Sequence, residues 1–83
     1  MYTNIVSYIG KEPEIMATIR VVDGKLQIEG GHIPASHAES LGLEYDHFKA
    51  NHPDAPDKQF LDDQLGMMFA GSTYIKPKFF AEG

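Results

Sequence analysis

Residues 15–29, IMATIRVVDGKLQIE, constrain the fold of this chain more than any other segment. Asp23-Gly24 is the signature of a two-residue type I′ turn, in which both central residues need a positive φ. A two-residue loop pairs Val22 with Lys25, Val21 with Leu26, Arg20 with Gln27, Ile19 with Ile28 and Thr18 with Glu29. Successive pairs point to opposite sides of a sheet. One side then holds Ile19, Ile28, Val21 and Leu26, all apolar. The other holds Arg20, Gln27, Thr18, Glu29 and the Val22–Lys25 pair. A slip of one residue would destroy the separation, so the pattern specifies a hairpin with one face buried.

The flanking sequence extends this hairpin into a sheet. Residues 2–9, YTNIVSYI, are β-branched and aromatic and end at Gly10, which predicts a strand. Residues 72–80, STYIKPKFF, return to strand composition. Alternation there sets Thr73, Ile75, Pro77 and Phe79 against Tyr74, Lys76, Lys78 and Phe80. Between them lie helical signals. Gly30-Gly31 closes the hairpin strand, Pro34 suits a first helical turn, and Ser36-x-x-Glu39 fits a capping box. Gly42 reads as a helix stop, with a second short helix over residues 44–51. Phe60, Leu61, Leu65, Met68 and Phe69 recur at helical spacing after Asp57. Gly66 weakens that helix unless close packing wants a small residue there. The expectation is α+β: a small antiparallel sheet of three to four strands, with two or three short helices on one face. A chain of 9.2 kDa suits a single domain over 1–83, with a folded surface of roughly 4,900 Å2.

Several function classes are excluded or disfavoured. No run of 18 apolar residues is present, which argues against a transmembrane helix. MYTNIVSYIGKE lacks the basic and long apolar regions of a signal peptide, so a cytoplasmic protein is expected. Cys 0 removes disulfides, thiolate zinc ligands and thiol chemistry. Ser7, Ser36, Ser40 and Ser72 sit in no nucleophile elbow, and Gly30-Gly31 is followed by no phosphate-binding Lys. No cofactor motif is present, and a non-enzyme is expected.

The net charge of −5 belongs to the middle of the chain. Residues 29–63 carry eight acids against Lys49 and Lys58, whereas residues 1–28 are neutral. Such a segment repels phosphate, so nucleic-acid binding by it is disfavoured. It suits a protein partner with a basic surface, met by Glu44, Asp46, Asp54 and Asp57. Tyr74 and Phe80 on the last strand are candidate apolar contacts. Aromatics interleaved with Lys76 and Lys78 also form a weak version of a base-stacking strand, while Pro and Lys protect a sheet edge. The reading these features support is a small acidic protein-binding module, regulatory or inhibitory, for which a homodimer is an open arrangement.

The four histidines supply the alternative. His32, His37, His47 and His52 are separated by 5, 10 and 5 residues. Five residues turn a regular helix by roughly 500°, so such pairs diverge by about 140°. A metal-dependent enzyme or metal-binding protein would draw these residues from different segments. Gly31, His32 and Asn51, after a hairpin, resemble the ββα metal-dependent nucleases, where such a His is the general base and the following helix supplies metal ligands. Ile33, Pro34, Leu41, Gly42, Leu43 and Asp46 resemble a stretch of AbrB/MazE-type swapped-hairpin proteins, over about a sixth of the chain. That resemblance implies a dimeric DNA-binding regulator with strands directly after the segment.

Overall fold

The computed structural model describes residues 1–30 and 32–82. Four strands, β1 (Tyr2–Ser7), β2 (Glu14–Val22), β3 (Lys25–Glu29) and β4 (Ile75–Phe80), form an antiparallel sheet in the order β3-β2-β1-β4. The fold is α+β. The hairpin register is the one its faces demand, from Val22↔Lys25 to Thr18↔Glu29. Asp23 and Gly24 take φ of 52° and 76°, as the turn requires. The last strand returns beside β1, with Tyr2 opposite Phe80. It is shorter than its composition predicts, because Ser72 makes a turn first: its Oγ accepts the Ile75 N–H at 3.0 Å.

One irregularity shapes the sheet. Ile5 pairs with Ala17 but Val6 pairs with Ile15, so Met16 is the extra residue of a β-bulge. Bulged residues lose strict alternation. Met16 thereby packs on the core from the side that Ala17 occupies. The buried face of the sheet is built from Thr3, Ile5, Ala17 and Ile19, joined by the partly buried Val21, Leu26, Ile28, Ile75 and Phe79.

Helices cover this one face. The two short helices expected around Gly42 are a single helix, α1 (Ala35–Asn51). Gly42 does not stop it because a glycine in a helix costs only about 1 kcal/mol against Ala, and nothing after it supplies a left-handed cap. The expected capping box is also absent. Pro34 precedes the first turn and its carbonyl accepts the His37 and Ala38 N–H groups, while Ser36 lies inside the helix. The second helical segment opens at Asp57, passes through a π-helical stretch, Gln59–Gln64, and ends as α2 (Leu65–Met68). Bonding from i to i+5 brings Phe60 and Leu65, five apart, toward one side. Both are buried, with Leu61. The hydroxyl of Thr3, a residue with no exposed surface, donates to the Leu61 carbonyl and ties β1 to this stretch.

The core is aromatic at its centre. Tyr45 meets Phe60 edge-on at 5.2 Å, and Phe48 lies 5.7 Å from Phe60. Among the described residues no helix is long and apolar enough to cross a membrane. The accessible surface is 5542 Å2, about 600 Å2 more than the roughly 4,900 Å2 of a compact chain this size.

Candidate functional site

The buried residues of α1, Tyr45 and Phe48, both lie in its C-terminal half. The N-terminal turns contribute only partly buried side chains, Ile33 just before the helix and Leu41 within it. Between these turns and the end of α2 an open groove of about 780 Å3 remains. Its floor is Ile5, Met16 and Ile75; Ile33, Pro34 and Leu41 form one wall, and Met68 and Phe69 the other. His32, His37, Ser40, Glu44 and Ser72 supply its polar atoms. The volume lies within the range of ligand clefts, and an apolar lining with a few polar groups is their usual chemistry.

Gly30 sets the wall nearest the hairpin. Its φ is 122°, and a Cβ there would stand 2.6 Å from the Met16 carbonyl oxygen. Only glycine lets the chain leave β3 across the bulge and carry Ile33 and Pro34 to the groove. Gly31, the other half of the expected strand ending, lies outside the described residues. Most of this site is not legible as a pattern. Met16 reaches it through a bulge, and Met68 and Phe69 follow a helical period that points them at the core. The one available signal is the run Met67-Met68-Phe69, since Met recurs at adaptable binding surfaces. Met67 is 70% exposed.

The six expected contact residues do not form one patch. Glu44 alone lines the groove, and it also lines a smaller, more polar hollow of about 320 Å3 on its other side. Asp46 is exposed on α1 and Asp54 is exposed in the turn after it. Asp57 is engaged internally. It accepts the Tyr45 hydroxyl at 2.8 Å and lies 3.8 Å from the Lys49 ammonium, so it caps no helix. Lys49 also donates to the Ala55 carbonyl at 2.9 Å, which secures the loop. Burial, the hydrogen bond to Asp57, and the charges of Asp57 and Asp46 push the Tyr45 hydroxyl up from 10.0 to about 12.

Tyr74 and Phe80 are separated from these acids and from each other. Tyr74 is 56% exposed just before β4, where its carbonyl accepts the Tyr8 N–H at 2.7 Å. Phe80 lies on the face of the sheet away from the helices and stacks on Tyr2, with ring centroids 4.9 Å apart and planes inclined by 17°.

The histidines divide into two pairs. His32 and His37 line the groove, and His32 approaches Glu14 at 3.9 Å. His47 and His52 both line the smaller hollow, because His52 has left the helix at its C-terminus. Among the described residues no three His, Asp or Glu side chains are grouped to hold a metal ion. His32 and Asn51 stand at opposite ends of α1, whose 17 residues span about 25 Å. The nuclease-like residues therefore do not converge. The segment resembling swapped-hairpin proteins runs into α1 and is followed by the second helical segment rather than by strands. Comparison with protein-family models, with curated proteins and with solved structures finds no significant match in any of the three.

Proposed function

We propose that this protein is a small non-enzymatic binding module, regulatory or inhibitory, which receives an apolar segment of a partner protein in the groove. Glu44 on the rim meets a Lys or Arg of that segment. The open apolar groove between α1 and α2 is the observation that carries the reading. Acidic Glu44 and Asp46 on α1 favour a basic partner. A cysteine-free chain suits the reducing cytoplasm. Neither a histidine-based metal site nor a swapped-hairpin DNA reader has an observation of equal weight behind it.

Ser40 is exposed on α1 and lines the groove, so Ser40→Trp fills the space without entering the core. Affinity capture from the host with wild type and Ser40→Trp as parallel baits should recover a partner with the first only. For that partner, reversing Glu44 and Asp46 to Lys should slow association and flatten its salt dependence, since rim charges act mainly on encounter. A partner retained equally by both baits would refute the groove. A host in which neither bait retains anything would refute the binding module.

A further inference from the structure

The face of the sheet away from the helices has a different chemistry from the rest of the molecule. Register places side chains there in cross-strand rows. Gln27, Arg20, Tyr2 and Phe80 form one row, and Glu29, Thr18, Asn4 and Lys78 the next. Lys25 and Lys76 extend the same face at its two sides. Four cations thus share it with a single carboxylate, a net of +3, in a chain of −5. Everything else carries −8. The aromatic pair is flanked by charge: the Arg20 guanidinium lies 5.6 Å from the Tyr2 ring centre and the Lys78 ammonium 5.6 Å from that of Phe80. Asn4 and Thr18 hydrogen-bond each other at 2.8 Å and supply polar atoms beside the rings. No described helix covers this surface.

We infer that this sheet face binds single-stranded nucleic acid. Lysine and arginine interleaved with aromatic rings on an open sheet neutralise the phosphates of a strand while unpaired bases stack on the rings. β4 is an edge strand, so a base can continue the Tyr2–Phe80 stack beyond Phe80. A strand of six residues and three inter-strand gaps give a platform of about 20 Å by about 15 Å, room for a few nucleotides. The acids of α1 and of the loop after it do not oppose this. They lie across the thickness of the sheet and helix layers, and a Debye length of about 8 Å screens them. The acidic middle segment itself remains a poor surface for phosphate. The site is independent of the groove.

Fluorescence anisotropy of labelled oligo-dT and oligo-U, titrated with the full chain at about 50 and about 200 mM salt, tests the inference. Micromolar binding is expected, with a logarithmic salt slope of at most about −3 from four cations. Lys76→Gln with Lys78→Gln should cut that slope to about half. Phe80→Leu, which keeps an apolar side chain on the strand, should weaken binding about tenfold or more. Melting curves of each variant verify the fold. The relative affinity of the two oligomers distinguishes DNA from RNA. Absence of binding at about 100 μM protein overturns the inference. So does equal affinity for an abasic strand of the same length, for heparin or for anionic lipid vesicles, since none of these offers a base to stack.

Discussion

The Tyr45 hydroxyl donates a 2.8 Å hydrogen bond to the Asp57 carboxylate, and this contact closes the loop between α1 and the second helical segment. It turns an acid that reads as a surface contact into part of the scaffold. Tyr45 is 1% exposed, and its hydroxyl is pushed up to about 12. The folded state therefore holds this proton more tightly than the unfolded chain. The stability it contributes is intact below pH 10 and is lost progressively as pH rises through about 12. Urea denaturation at a series of pH values should show stability falling across that window. In Tyr45→Phe the fall should shrink, with a loss of about 1–3 kcal/mol at neutral pH for the missing bond to a charged group.

Thr3→Val tests the link between β1 and the π-helical stretch. Valine matches threonine in shape but leaves the Leu61 carbonyl without its donor. Loss of a buried hydrogen bond on one side costs about 1–3 kcal/mol. Chemical denaturation should show that loss, and an unchanged midpoint would mean that water replaces the hydroxyl.

Two glycines should respond in opposite directions to alanine. A Cβ at Gly42 meets nothing within 4 Å, and Gly42 lies inside α1. Gly42→Ala should raise stability by about 1 kcal/mol, seen as a higher melting temperature. At Gly30 the Cβ would collide with the backbone of Met16 and Ala17 at a φ of 122°. Gly30→Ala should lower stability by roughly 1–3 kcal/mol. It should also shift the amide resonances of Met16 and Ile33, since the exit of β3 packs against the groove's floor at Met16 and leads to its wall at Ile33.

The hairpin turn has its own test. Gly24 takes a φ of 76°, which a β-branched residue resists. Gly24→Val should cost more than about 1 kcal/mol, whereas the space around the position is open and cannot be the cause. A thermal melt that does not move would contradict the type I′ assignment.

Local chemistry in the sequence determined the hairpin, its register, the inward and outward faces of β3, β4 and the Thr18–Val22 part of β2, and the apolar residues of the second helical segment. These follow from a period of two, a turn needing positive φ, and a helical spacing, all of which act within a few residues. Tertiary structure decided what local signals cannot carry. Packing of Tyr45 and Phe48 on the sheet outweighed the modest cost of Gly42 and made one helix of two. The bulge turned Met16 inward, and the stand-off of the first turns of α1 opened the groove. The return of β4 beside β1 set Phe80 on Tyr2 and gathered Arg20, Lys76 and Lys78 on one face. Residues 78 positions apart meet only when the sheet closes, so a chain that averages to acidic carries a basic aromatic surface of which the sequence displays only the β4 strip, Lys76, Lys78 and Phe80.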